Sequence, residues 1–205
     1  MPKIVNHDHQ KQKVAEAAWR VILKQGMEQA SVRNIADEAG LSVGSLRHYF
    51  ATQSDLYAYS MNMVSERVAQ RIQNIKFSGD VLHDGPLLVH EILPLDQETR
   101  LEMEVWFAFV VKSLSDLSLE SLRKEVDRHM RVIFTSIVQG LIDQSLAKPD
   151  LNADFEAERF YALVDGLAMH AILRPELLPP DKIKALIRHH LYSLCISEVR
   201  GPDPS

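Results

Sequence analysis

The sequence predicts an all-α protein, and three observations predict it. Prolines stand at 2, 86, 94, 149, 175, 179, 180, 202 and 204, which leaves 3–85, 95–148 and 150–174 free of them; proline breaks helix interiors, so these windows are where helices can run. Apolar positions recur at three- and four-residue intervals, as in Val14, Ala17, Ala18, Val21 and Ile22, and again along Ile183, Leu186, Ile187, His190, Leu191 and Leu194. Sustained period-two alternation between hairpin signals occurs nowhere.

The elements follow in order. A first helix is expected from about Gln10 to Gln25, with Gly26 as a left-handed cap beyond it. A second begins near Ser31, whose hydroxyl can accept from a first-turn N–H, and ends at Gly40. Ser42 opens a short third helix through Phe50. Thr52 opens a fourth, with Asp55 at the reciprocal position of a capping box, running to about Ile75. Later helices are expected at about 80–92, 96–115, 118–147, 152–174 and 180–198, with "DGP" at 84–86, "KPDLN" at 148–152 and "RPELLPP" at 174–180 as joints. Val105 to Val111 is apolar all round a helix and is expected to be central and fully surrounded.

Composition narrows the function. The run Val105–Val111 is the longest unbroken apolar stretch, far short of the roughly 20 residues of a membrane helix, and the opening "MPKIVNHDHQKQ" has no apolar signal core. One cysteine, Cys195, precludes an intrachain disulfide and fits a reducing cytoplasm; on an apolar-periodic helix it reads as a small buried hydrophobe. Residues 1–60 carry +1 and residues 61–205 carry −6, giving the net −5. An acidic body repels a polyanion, so any nucleic-acid contact is confined to the N-terminal part. There is no nucleophile elbow, no phosphate-cradling glycine loop and no CxxC, so neither catalysis nor a cofactor is expected. His83, Asp84, His90 and Glu91 are close in sequence but straddle Gly85-Pro86, and His189 and His190 point to different helix faces; no metal site is expected.

The stretch "VRNIADEAGLSVGSLRHYF", 32–50, has the chemistry of two helices meeting at a sharp angle. Ala36 and Ala39 supply small contacts, Gly40 the positive φ, Leu41 a plug for the turn, and Ile35, Leu46 and Phe50 an apolar underside. Val43, Gly44, Ser45, Arg47 and His48 are left on the outer face of the third helix, and such small and hydrogen-bonding side chains fit a DNA major groove. The stretch holds only Arg33 and Arg47 as strong cations, so binding leans on Arg47 and uncharged hydrogen bonds more than on counterion release. Lys3, Lys11 and Lys13 can add charge from the N-terminus.

"ASVRNIADEAGLSVGSLRHYFATQSDLY" resembles the N-terminal domain of TetR-family transcriptional regulators, through Ser31-Val32, Ile35-Ala36, Ala39-Gly40, Ser42, Gly44, Leu46, His48-Tyr49-Phe50 and Asp55-Leu56. The resemblance implies a three-helix DNA-binding domain at 1–53 and a helical-bundle ligand-binding and dimerisation domain at 54–205. It places DNA contacts on Arg33, Ser42, Val43, Gly44, Ser45, Arg47, His48, Tyr49 and Thr52. The family often has lysine where this chain has Val43, Ala51 and Gln53, and tyrosine where it has Arg47. The implied function is a ligand-responsive regulator, most simply a repressor, that binds a palindromic double-stranded operator as a homodimer; a DNA-binding factor without a ligand fits the same residues.

The remainder resembles the family's BetI-type C-terminal region through Trp106, Asp165-Gly166-Leu167 and the pattern of the last helix, which implies a two-fold dimer. From the residues themselves, space near Trp106, Phe109, Val110 and Phe134 would make an apolar pocket for a small apolar or cationic effector, with Glu102 or Glu104 as a possible anionic partner. Phe160, Val164, Leu167, Ile183, Leu186, Ile187, Leu191 and Leu194 are expected to form a dimer seam. Gly140 and Gly166 either allow close backbone approach or soften their helices.

Overall fold

The computed structural model describes residues 7–26 and 29–199; Lys3 and the tail from Arg200 lie outside them. Among the described residues the protein is all-α, with α1 His7–Gln25, α2 Val32–Ala39, α3 Val43–Tyr49, α4 Gln53–Gln73, α5 Val81–His90, α6 Gln97–Ser113, α7 Glu120–Asp143, α8 Ala153–Leu173 and α9 Pro180–Ser193. A single-turn 3-10 helix, Leu117–Leu119, leads into α7. None of the described helices is long and apolar enough to cross a membrane.

The chain divides into two compact units: 1–67 with 104–124, and 68–103 with 125–205. This differs from the expected boundary at 53/54, because α4, α6 and α7 each contribute residues to both units. In the first unit, Val14, Ala17, Ala18 and Val21 of α1 are buried with Ile35, Ala36, Leu46, Phe50, Leu56 and Met61. Apolar spacing of three and four therefore does what it predicts: it turns one stripe of each helix inward. Arg67 of α4 lies over the Trp19 ring, 4.8 Å from its centroid, and reaches Glu16 at 3.8 Å.

The second unit is built on α5, α7, α8 and α9. Phe134 stacks on Tyr161 with ring centroids 4.9 Å apart and meets Phe160 edge-on at 5.1 Å, while Phe160 carries the His190 ring at 4.7 Å. Two glycines set how closely α5 and α7 approach. A Cβ on Gly140 would stand 2.9 Å from Val81 Cγ2, and one on Gly85 3.0 Å from Ile137 Cγ2. Close approach is thus the role of Gly140, whereas Gly166 of α8 has nothing within 4 Å of where a Cβ would be.

Three expectations need correction. "DGP" at 84–86 is no joint: it lies inside α5, where Asp80 caps the helix by accepting from Leu82 N–H at 2.9 Å. The ends of α7 and α9 come earlier than expected because 146–148 and 194–196 pair with each other: Lys148 N–H donates to Leu194 O and Ile196 N–H to Leu146 O, both at 2.9 Å. Ser145 ends α7 in the left-handed region, φ 58°, a role for which a sequence reader looks for glycine. Lastly, α6 is not surrounded. Val105 and Phe109 are buried, but Val111 is 67% exposed, so an apolar run that circles the helix meets a body covering only one side of it.

The α5–α7 contact makes a direct test. Gly140→Ala forces a methyl into Val81 and should destabilise the protein by about 1–3 kcal/mol, the usual cost of overpacking a filled core; thermal denaturation followed by circular dichroism reads it. An unchanged midpoint would mean that α5 and α7 separate freely.

Candidate nucleic-acid interface and effector region

The interface begins with how α2 and α3 are held. Ser31 caps α2, its Oγ accepting from Asn34 N–H at 3.2 Å. Gly40 ends it in the left-handed region, φ 67° and ψ 34°, and Leu41 N–H returns to Ala36 O at 2.9 Å. Ser42 then caps α3: its Oγ accepts from Ser45 N–H at 3.1 Å and donates to Ser45 Oγ at 3.0 Å. Thr52 and Asp55 form the expected capping box on α4, Thr52 N–H donating to Asp55 Oδ2 at 2.9 Å and Asp55 N–H to Thr52 Oγ1 at 3.0 Å. Each cap satisfies first-turn N–H groups that would otherwise be unpaired.

Leu46 is the buried residue of α3, and Val43, Gly44, Ser45, Arg47 and His48 are all exposed. Ser42, Arg33 and Thr52 are exposed as well, whereas Tyr49 is half-buried with its ring edge-on to His48, centroids 5.6 Å apart. The nine expected contact residues thus lie on the α2–α3–α4 segment of the first unit, eight of them open to solvent. On the neighbouring helix surface Glu38 would repel a phosphate, but Arg20 Nε meets its Oε1 at 2.7 Å and Lys24 Nζ at 3.5 Å. The Arg20 hydrogen bond, more than Lys24, holds the Glu38 carboxyl below the usual carboxylate range.

Gln53 stands where the resembled family often has lysine. Its amide turns inward, donating to Ala30 O and to the Tyr57 hydroxyl, and Tyr57 donates to the same Ala30 O at 3.0 Å. A half-buried Gln53 therefore ties the start of α4 to the α1–α2 link. The signal that could have found this is Tyr57 four residues on, one helical turn along the same face.

The effector candidates fall into two groups. Trp106 and Phe109 of α6 stack in the first unit, centroids 5.8 Å apart and 25° from parallel, with Val110 half-buried beside them in sequence. Phe134 belongs to the second unit, where it is fully buried among Phe160 and Tyr161. Glu102 is no free anion. It is 4% exposed, and both of its oxygens hold Arg71: Nη1 to Oε1 at 3.1 Å and Nη2 to Oε2 at 2.7 Å. Arg71 also donates from Nε to Glu91 Oε2 at 2.9 Å and from Nη2 to Glu91 O at 3.1 Å. The Glu102 hydrogen bonds, against the cost of burial, raise the Arg71 pKa. Spacing along one helix carries no trace of a partner 31 residues away, so Arg71 escaped sequence reasoning. Glu104 is half-buried.

The seam candidates need the plainest revision. Phe160, Val164, Leu167, Ile183, Ile187, Leu191 and Leu194 are all buried inside the second unit, so α8 and α9 use them to hold their own subunit together. Leu186, at 36%, is the exposed member of the set. The apolar residues that α8 leaves outside are Phe155, Ala162, Met169 and Leu173, on a line with Gly166. At their edge, burial first and then Asp127 and Glu158 push the Asp165 carboxyl up to about 6.

His83 Nδ1 lies 2.9 Å from Asp84 Oδ1, but Asp84 is committed to the loop before α5, accepting from Ser78 N–H at 3.0 Å and Gly79 N–H at 2.7 Å. Among the described residues no three His, Cys, Asp or Glu side chains converge as metal ligands would. Cys195 is buried and its thiol pushed up by that burial, the setting of an inert core thiol.

Residues 14–59 match the model of bacterial regulatory proteins of the tetR family, and residues 86–196 that of the BetI-type transcriptional repressor C-terminal region. The chain is 43% identical over 207 residues to the HTH-type transcriptional regulator PksA of Bacillus subtilis (strain 168), covering 98% of this chain and 97% of that one. Among solved structures, a transcriptional regulator from Rhodococcus sp. Rha1 superposes with a TM-score of 0.79 at 28% identity, over 90% of this chain and 95% of its own. A regulator from Saccharomonospora viridis, solved in complex with choline, shares the fold with a TM-score of 0.75 at 22% identity, over 91% and 95%. All three carry the name of transcriptional regulators. The chain belongs to the TetR family of transcriptional regulators, with a DNA-binding helix-turn-helix at its N-terminal end and a BetI-type C-terminal region.

Proposed function

We propose that this regulator is a cytoplasmic repressor that binds a palindromic operator as a homodimer and is released by a small apolar or cationic effector. The observation that carries the DNA-binding part is the outer face of α3. Its exposed Val43, Gly44, Ser45, Arg47 and His48 are presented by a short helix capped at Ser42 and fixed to α2 through Gly40. An exposed arginine on such a helix can grip guanine O6 and N7 together, which gives about 1–3 kcal/mol of discrimination. The test is a binding comparison between duplexes that the purified protein selects from a random pool and an unselected duplex. Arg47→Ala should weaken the first about ten- to a hundredfold and the second far less; equal losses on both would make Arg47 a phosphate contact.

The dimer reading rests on what α8 exposes. Phe155, Ala162, Gly166, Met169 and Leu173 fall on one line of the helix, and Leu186 of α9 is exposed as well. Glycine in a helix interior costs roughly 1 kcal/mol relative to alanine, and nothing inside the subunit needs it at 166. Close approach of a second copy supplies the reason. Two such faces related by a two-fold axis hide apolar area that one subunit leaves in water, and set two recognition helices about one DNA turn, roughly 34–36 Å, or a multiple of it apart. Leu173→Glu with Leu186→Glu should give a folded monomer that no longer shifts DNA. Both positions are solvent-exposed in the subunit, so circular dichroism should stay native while sedimentation changes; a wild-type monomer in sedimentation would end this reading.

The effector reading rests on the Trp106–Phe109 ring pair, on the BetI-type region and on the fold shared with the choline-bound Saccharomonospora viridis protein. Ring faces attract a desolvated cation by up to about 2 kcal/mol. With Glu102 already neutralised by Arg71, the rings rather than that carboxylate are the attraction. An effector shifts DNA binding only through its differential affinity for two states, and α4, α6 and α7, which contribute to both compact units, are the elements that would carry the change. Choline and apolar metabolites titrated against a fluorescent operator complex test it: release should be weaker with Trp106→Ala. Release identical in both proteins moves the effector elsewhere; no release by any of them favours a regulator without a ligand.

A further inference from the structure

We infer that Val43 reads the 5-methyl group of a thymine in the operator, next to the base pair addressed by Arg47. The inference rests on the DNA-binding reading of α3 and deepens it by naming what the first turn of that helix recognises.

The other side chains of the turn are committed, absent or unselective. Ser42 commits its oxygen to the Ser45 N–H and its proton to Ser45 Oγ, so it has no donor left for a base edge. Gly44 has no side chain; a Cβ there would meet nothing closer than Ser42 Oγ at 3.8 Å, so the backbone can come close to the DNA but cannot discriminate. Ser45 keeps its own hydroxyl proton, and a hydroxyl is a tolerant reader that pairs with many base edges. Val43 differs from all three. It is a branched apolar side chain, 36% exposed, at the first position of the helix.

The register adds the neighbour. Buried Leu46 points α3 inward, Gly44 and His48 lie most nearly opposite it, and Val43 and Arg47 share one flank a helical turn apart. Two side chains on one flank address adjacent base pairs. In the major groove the one apolar feature of a base edge is the thymine 5-methyl, and the bidentate partner of arginine is guanine. The expected element is a thymine beside a guanine in each half-site. 5-Methylcytosine puts its methyl at the same place as thymine and should substitute for it at that step.

The test removes one methyl at a time. In the duplex selected by the full-length protein, each thymine is replaced in turn by deoxyuridine, which leaves every Watson–Crick hydrogen bond intact, and affinity is measured for wild type and Val43→Ala. One thymine in each half-site should cost the wild type about fourfold, the factor for burying one methyl group, and roughly fifteenfold when both half-sites are changed. Val43→Ala should bind the thymine and deoxyuridine duplexes about equally, and 5-methylcytosine opposite guanine at that step should bind the wild type better than cytosine. Because Val43 is exposed, the variant keeps its fold, which circular dichroism verifies. A uracil scan without any loss, or a loss undiminished in Val43→Ala, overturns the inference and leaves the DNA-binding reading standing. Failure to select any duplex overturns both.

Discussion

The backbone of Gly40 is the constraint on which the DNA-facing half of the protein depends. Its left-handed φ of 67° turns the chain out of α2 within one residue, and the returning Leu41 N–H closes the turn on Ala36 O. Space is not the reason for glycine, since nothing lies within 4 Å of where a side chain would begin. The reason is the dihedral, which costs an L-residue about 1–2 kcal/mol. From that turn follow the position of Ser42 as a cap, the inward direction of Leu46 and the outward direction of Val43 and Arg47. The outward face of α3 is thereby determined by an atom that is missing.

A weakly charged reading head on an acidic body has a physical logic. Non-specific affinity scales with the number of phosphates neutralised, whereas discrimination comes from base edges. With Val43, Ala51 and Gln53 in place of cations, and with Glu38 paired to Arg20 rather than removed, the first unit is poor in the first term. Such a protein spends less time on random DNA for a given affinity at its site. Gln53 shows that uncharged need not mean idle: its amide holds Ala30 O and the Tyr57 hydroxyl, and so fixes the start of α4 beneath the Thr52 cap.

Local features of the fold were legible in the sequence because they are encoded locally. The caps at Ser31, Ser42 and Thr52, the Gly40 turn and the order of the helices all depend on residues within a turn or two of each other. The candidate interface was legible for the same reason, with Val43, Arg47 and His48 exposed as their spacing from Leu46 requires. What the sequence hid depends on a second surface. Periodicity says that a helix has an apolar stripe but not whether that stripe faces its own subunit or another copy, so Leu167 and Ile187 read as a seam and are core. An apolar run that circles α6 does not say which part is covered, and Val111 is left in water. Glu102 reads as an anionic partner for an effector until Arg71, distant in sequence, is brought to it.

That Arg71 cluster gives the molecule two electrostatic regimes. Counterions screen exposed charges over a Debye length of about 8 Å at physiological ionic strength, but reach a desolvated pair far less. The bidentate Arg71–Glu102 pair, with Glu102 almost wholly out of water and Glu91 completing the guanidinium's partners, belongs to the second kind. Contacts with phosphate belong to the first. Ionic strength therefore reaches the exposed cations of the first unit, Arg33 and Arg47, while the pin between α4 and α6 in the C-terminal unit holds.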